Sequence, residues 1–279
     1  MNRRGFSTSR TVHGIVDNSS PDLTAIDGDA LEAAAQVLAV ARRVVVATGA
    51  GMSQESGIPT FRDAESGLWS RFDPAELATP AAFARAPARV FGWYAWRRRL
   101  MRAAQPHPGY AAIVALEELL PDVLVVTQNV DGLHRRAGSR RVVELHGSLD
   151  QFVCAGDRHP FPAEAVPEPT GEGDLAPPAC GRCGAPVRPA VVWFGEMLPE
   201  REVATAWEAA ARCDVMLLVG TSGLVYPAAA LPRIARGGGA TVVAVNPEVG
   251  ESPSLVQIPL RGRAGVLLPA LVERLRGRA

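Results

Sequence analysis

Val44-Val-Val-Ala-Thr-Gly-Ala-Gly-Met-Ser-Gln-Glu-Ser-Gly-Ile-Pro-Thr-Phe-Arg62 decides how this chain is read. A β-branched run ends abruptly in a glycine-rich turn, as a buried strand does where it delivers the chain to a tight curve. Gly49 and Gly51 carry no side chains, so the backbone there can approach a bulky anion closely. A helix expected to start near Met52 would aim its first N–H groups at the same spot. The ordinary dinucleotide fingerprint asks for a third glycine where Gln54 stands, and the next glycine is Gly57. Pro59 is expected to cut the helix short, leaving Phe61 and Arg62 at the mouth of the turn.

Working outward, apolar runs separated by helical stretches organise most of the chain. Residues 29–42 carry apolar positions at helical spacing and lead into the strand. Val123–Thr127, Val142–Leu145, Val191–Phe194, Val215–Val219 and Thr241–Val245 read as further buried strands, with helices over 108–120 and 200–212. Continuous apolar strands alternating with helices imply an α/β fold, a parallel sheet with helices on both faces. Residues 63–105 are aromatic-rich, broken by Pro74, Pro80 and Pro87, and read as a helical insertion. Residues 151–188 turn to proline, glycine and acids and hold three of the four cysteines, as a small module without its own core would. This divides the chain into a tail (1–28), a sheet domain (29–62, 106–150 and 189–279), the insertion and the module.

Composition removes whole classes of function. At 279 residues and 47% apolar content the chain can bury a large core, and no run approaches the roughly 18 apolar residues of a membrane span. A net charge of zero gives nucleic acid no bulk electrostatic hold. The basic, hydroxyl-rich start reads as a disordered tail, and a cytoplasmic setting is expected. All 29 basic residues are arginine. Without lysine there is no P-loop lysine and no Schiff-base lysine, and the protein's own side chains offer no lysine for regulatory acylation.

In parallel sheets ligands bind beyond the carboxyl ends of the strands, and those positions are glycine-rich and polar here. Gly49-Ala-Gly51, Gln128-Asn-Val-Asp-Gly-Leu-His134, His146-Gly147, Gly195-Glu196, Gly220-Thr-Ser222 and Asn246-Pro-Glu248 would converge on one crevice. Gly49-Ala-Gly-Met-Ser-Gln-Glu-Ser-Gly-Ile-Pro-Thr-Phe-Arg62, Thr127-Gln-Asn-Val-Asp-Gly-Leu-His134, Leu145-His-Gly147, Val192-Trp-Phe-Gly-Glu196 and Gly220-Thr-Ser222 resemble, in order, the motifs of the sirtuins, NAD-dependent protein lysine deacylases. The resemblance runs from about residue 35 to 275. It implies a Rossmann-like NAD-binding domain with a zinc-ribbon-like module, and acyl-lysine proteins or peptides as partners. On that resemblance NAD lies against Gly49, Ala50, Gly51, Ser53, Phe61, Arg62, Gln128, Asn129 and Asp131, with Asn129 and Asp131 gripping the nicotinamide amide. Gly220, Thr221, Ser222, Asn246, Glu248 and Ala264 match the adenosine half. His146 would be the general base on a ribose hydroxyl and Asn129 its catalytic companion, while Val192, Trp193, Phe194 and Gly195 would receive substrate as an added strand. Mono-ADP-ribosyl transfer to protein and NAD or ADP-ribose sensing are the competing readings.

Two features of this chain refine the resemblance. In Phe91-Gly-Trp-Tyr-Ala-Trp-Arg-Arg-Arg99, Tyr94 and Arg97 share a helix face, and a guanidinium binds a carboxylate through two parallel bonds where an acetyl group offers it nothing. The pair resembles the sirtuin class that removes succinyl and malonyl groups. The family's zinc module has two Cys-x-x-Cys pairs, whereas here Cys180 and Cys183 are intact and the first pair reads Cys154-Ala-Gly-Asp157. Either zinc is held by three sulfurs with Asp157 or His159 as the fourth ligand, or packing alone holds the module.

Overall fold

The structure, a computed structural model, describes residues 27–59, 73–223, 225–247 and 253–278. In chain order the larger elements are α1 (Gly28–Ala39), β1 (Arg43–Thr48), α2 (Gly51–Gln54), α3 (Pro74–Leu77), α4 (Pro80–Arg85), α5 (Pro87–Ala103), α6 (Pro108–Leu119), β2 (Asp122–Thr127), α7 (Leu133–Ala137), β3 (Val142–Glu144), β4 (Gly147–Cys154), β5 (Pro160–Phe161), β6 (Val187–Val191), α8 (Glu200–Arg212), β7 (Val215–Val219), α9 (Leu231–Gly237), β8 (Thr241–Asn246), β9 (Ile258–Arg261) and α10 (Ala264–Arg276).

Among the described residues the main sheet has the order β3-β2-β1-β7-β8-β9, and every neighbouring pair is parallel. Alternation along each strand assigns the two faces. Val44, Val46, Leu217, Val219 and Val243 turn toward α1, α6 and α10; Val45, Ala47, Met216, Leu218 and Val242 turn toward α8 and α9. Both faces are therefore apolar, and β1 and β7 are buried almost throughout. The sheet grows outward from β1 through β2 and β3, and from β7 through β8 and β9. The β1–β7 junction is thus the switch point, where adjacent strands lead their following loops apart and open a crevice.

A second sheet, ordered β5-β4-β6 and antiparallel, carries the cysteines. It spans Gly147–Val191, wider than the composition shift at 151–188. The strand expected over Val191–Phe194 is corrected: β6 ends at Val191, and residues 192–196 leave it for a turn with Gly195 at φ 86°. Two backbone bonds still fix that segment, Val192 N–H to the His146 carbonyl (2.9 Å) and Phe194 N–H to the Ala78 carbonyl (2.9 Å). Helix α2 also stops earlier than Pro59 requires. Gly57, at φ 80°, closes it with Ile58 N–H donating back to the Ser53 carbonyl at 3.3 Å, the left-handed ending that glycine favours.

Three glycines hold the switch point together. A Cβ at Gly49 would lie 2.8 Å from the Gly220 carbonyl oxygen, and one at Gly51 2.8 Å from the Gly220 Cα. One at Gly220, itself at φ 61°, would lie 2.1 Å from the Met52 nitrogen. Gly223 has a similar φ of 75° but open space around it. Gly223→Ala should therefore cost only the left-handed penalty, about 1–2 kcal/mol, and Gly220→Ala clearly more. Urea unfolding of the two variants side by side checks this.

Candidate functional site

The turn after β1 differs in detail from a free anion cradle. Gly51 N–H donates to the Gly220 carbonyl (3.0 Å), Met52 N–H to Gly49 (3.0 Å) and Ser53 N–H to Ala50 (3.1 Å). The first N–H groups of α2 are thus spent inside the protein, contrary to the sequence expectation. What the glycines supply is close approach: side chains at Gly49, Gly51 or Gly220 would collide with the opposite turn.

Beside this turn a cavity of about 390 Å³ is lined by Gly51, Gln54, Glu55, Gly220, Asn246, Arg263 and Ala264, among others. Expected adenosine-side residues Gly51, Gly220, Asn246 and Ala264 come together here. Thr221 stands behind Asn246, whose side-chain amide donates to the Thr221 carbonyl at 3.0 Å, and Ser222 is exposed. Phe61, Arg62 and Glu248 lie outside the described residues. Gly262 and Arg263, unforeseen, follow β9. The same strand-end rule finds them once Ile258-Pro-Leu-Arg261 is recognised as a strand, which Pro259 disguises.

A buried polar network underlies the turn. Asn129 Nδ2 donates to the Gly49 carbonyl and to Ser53 Oγ, both at 2.9 Å, and Ser53 Oγ donates to Asp131 at 2.6 Å. With its one proton committed to Asp131, Ser53 accepts from the Tyr110 hydroxyl at 3.0 Å. Asp131 also takes Leu133 N–H at 2.9 Å. Burial raises its pKa, opposed by the bonds from Ser53 and Leu133. Asn129, Asp131 and Ser53 therefore hold one another and the glycine turn. Tyr110 was not anticipated because it sits on α6, away from any strand end.

The second cavity, about 310 Å³, is lined by Tyr94, Arg97, Gln128, Val130, His146, Val192, Trp193, Phe194, Gly195, Glu196 and Tyr226, among others. It gathers the expected substrate-side residues with His146. The Nδ1 of His146 lies 2.9 Å from the Gln128 carbonyl. A carbonyl only accepts, so Nδ1 carries the proton and Nε2 keeps the lone pair. Burial lowers the His146 pKa, with the bond to Gln128 pulling the other way, so the ring is neutral at pH 7 and able to accept a proton. Burial pushes the Tyr94 phenol up to about 12 and brings Arg97 down to about 10, leaving one neutral and the other charged at neutral pH. Arg97 is 3% exposed, with its guanidinium 4.6 Å from the Trp93 ring centre.

The module's cysteines form a distinct centre. Ligand atoms of Cys154, His159, Cys180 and Cys183 all lie within 4.8 Å of one another. His159 Nδ1 is 3.7 Å from both the Cys154 and Cys180 sulfurs, and the Cys154 and Cys183 sulfurs are 3.6 Å apart. Zinc with bonds of about 2.3 Å in a tetrahedron spaces sulfurs by about 3.7 Å, so the residues fit the ion. Backbone bonds from Arg182 and Cys183 bring the Cys180 thiol down to about 6, toward the thiolate a metal needs. Asp157 is corrected as fourth ligand. It sits exposed on the turn after β4, while Arg158, at φ 54°, swings His159 back so that its N–H reaches the Cys154 sulfur at 3.2 Å. Cys213 is buried in the core.

A model of the Sir2 family matches residues 49–227, a range that holds the cavity around His146, the cysteine centre and the two glycine turns. The chain belongs to the Sir2 family. This Sir2-family protein is 51% identical over 247 residues to NAD-dependent protein deacylase 1 of Pseudomonas aeruginosa, covering 88% of this chain and 98% of that one. It is 50% identical over 244 residues to NAD-dependent protein deacylase 2 of Pyrobaculum aerophilum, covering 88% and 95%. Among solved structures, a Sir2 homologue in complex with NAD is 42% identical with a TM-score of 0.80, over 88% of this chain and 94% of the other. Sir2Af2 bound to a myristoylated histone peptide is 35% identical with a TM-score of 0.70, over 90% and 98%.

In the Sir2-family protein described here, His159→Ala should lower zinc content of protein purified without chelator to a small fraction of the wild-type value. Asp157→Ala should leave it near one per chain, as read by metal analysis.

Proposed function

We propose that this chain is an NAD-dependent protein-lysine deacylase that prefers succinyl- and malonyl-lysine and takes acetyl-lysine less well. Its family membership and its relatives named as deacylases support the reaction class. The acyl preference rests on one observation: Arg97, a buried and charged guanidinium, shares a cavity with the His146 base.

The chemistry of the lining makes Arg97 the group that an acyl carboxylate would meet. The described lining of the cavity includes the Glu196 carboxylate, and Arg188 reaches both of its oxygens, at 2.5 and 2.9 Å. Glu196 is thereby paired within the protein, and Arg97 contributes a guanidinium to the same lining. The phenol of Tyr94, three residues earlier on the same helix, adds a neutral donor. An acetyl group would bury next to this charge with nothing to offer it, whereas a succinyl or malonyl carboxylate would repay part of the desolvation.

In this reading NAD is the co-substrate along the switch-point crevice, and the acyl-lysine enters from the side of residues 192–195. The acyl oxygen attacks the anomeric ribose carbon as nicotinamide leaves. His146 Nε2 takes a ribose hydroxyl proton, and with one water the products are free lysine and O-acyl-ADP-ribose. Asn129, Ser53 and Asp131 keep the glycine turn fixed beside the reacting ribose. The module would hold zinc through Cys154, His159, Cys180 and Cys183 as a structural ion, far in role from the chemistry. Acyl-lysine proteins or peptides are the partners in this proposal. A cytoplasmic setting belongs to it too, supported by cysteines that gather as thiol ligands without a disulfide.

Steady-state assays of one peptide carrying acetyl, malonyl or succinyl lysine test the preference. We expect kcat/KM to be highest for the two acidic acyl groups. Arg97→Met should reduce succinyl turnover by about 10- to 150-fold, the value of a charge-assisted bond, and leave acetyl turnover within a few-fold. Unchanged succinyl turnover in Arg97→Met would sink the acyl assignment.

A further inference from the structure

Arg188 is buried at 4% exposure, yet no step of the reaction uses it. It lies on β6, paired with Val153 of β4, one residue before the metal ligand Cys154. Its guanidinium satisfies several groups at once. Nη1 donates to Glu196 Oε1 at 2.5 Å, while Nη2 donates to Glu196 Oε2 at 2.9 Å and to the Val191 carbonyl at 2.8 Å. Its central carbon lies over the Trp193 ring, 3.3 Å from the ring centre. Glu196 Oε2 accepts the Trp193 backbone N–H at 2.8 Å.

These contacts bind both ends of the loop where β6 gives way to the turn at Gly195. The same loop supplies the cavity wall that faces Tyr94 and His146. Trp193, 2% exposed, continues the stack inward, 5.2 Å from Phe83 and 6.1 Å from Tyr94 between ring centres. With β6 already ended, the segment 192–196 has little ladder of its own to hold its shape.

We propose that Arg188 and Glu196 form a positioning clamp for the substrate segment: one bidentate ion pair, stacked on Trp193, that sets the backbone and aromatic wall against which acyl-lysine docks. The proposal rests on the reading of this cavity as the acyl-lysine site. It goes beyond that reading by naming two residues that act on every acyl group alike, through the loop, whereas Arg97 acts only on acidic ones. An ammonium cannot bond both carboxylate oxygens through two separate nitrogens while its central atom sits over an indole, so charge alone at position 188 does not reproduce the clamp.

The test measures KM for succinyl-peptide, acetyl-peptide and NAD in Arg188→Met, Arg188→Lys, Glu196→Gln and the double variant Arg188→Met/Glu196→Gln. Thermal midpoints and zinc content are taken alongside. We expect each single variant to raise KM for both peptides by about tenfold or more while KM for NAD stays within about twofold. The double variant should be no worse than its worse parent, because the two residues act as one unit. Glu196→Gln keeps nearly the same shape and decides the matter should Arg188→Met not fold. Peptide and NAD KM values rising together, multiplicative effects in the double variant, or full recovery by Arg188→Lys would each overturn the clamp. Wild-type protein that turns over neither peptide would instead overturn the proposed function, so the two failures are separable.

Discussion

The contact between two glycine turns at the switch point is the constraint from which the rest follows. β1 and β7 run side by side, and the loops that leave them touch backbone to backbone at Gly49, Gly51 and Gly220. Bonds from Gly49 N–H to Val219 and from Gly51 N–H to Gly220 lock the approach. No residue with a Cβ fits at these three points without moving the main chain. The crevice therefore has a floor of bare backbone, and on either side of it the sheet and helices leave room for a long ligand.

Everything catalytic is referenced to that floor. Asn129, Ser53 and Asp131 tie it from beneath through a hydrogen-bond network with Tyr110. The cavity lined by Gln128 and His146 lies at the ends of β2 and β3, beside the first turn. The cavity lined by Asn246 and Arg263 lies on the other side, after β8 and β9. Two buried guanidiniums divide the work near His146. Arg188 is paired with Glu196, and Arg97 lines the cavity that the proposed function assigns to the acyl group.

Where sequence was informative, the reason is burial on two faces. β1, β2, β7 and β8 are continuous apolar runs because helices cover both sides of the sheet, and their ends were found by rule. β9 escaped because an edge strand of four residues with Pro259 carries no such signature. Trp193 and its neighbours read as strand because aromatic and β-branched residues favour pleated surfaces, but here the ladder has ended, Trp193 is buried by stacking and Phe194 is exposed. Asp157 fills the spacing of a lost cysteine. Spacing cannot register that the backbone at Arg158 reverses and presents His159. Nor could composition reveal that the N–H groups of the first turn are consumed by the opposite glycine, since that partner lies far along the chain.

These placements converge on one claim, that the acyl cavity and the dinucleotide crevice meet at His146 so that the acyl oxygen becomes bonded to the ribose. A succinyl-peptide labelled with heavy oxygen in its amide carbonyl, turned over with NAD and followed by mass spectrometry, tests this most directly. The account predicts the label in the ADP-ribosyl product, with nicotinamide and free lysine formed in equal amounts. Label retained in free succinate, or ADP-ribose transferred to protein with the acyl-lysine intact, would contradict it.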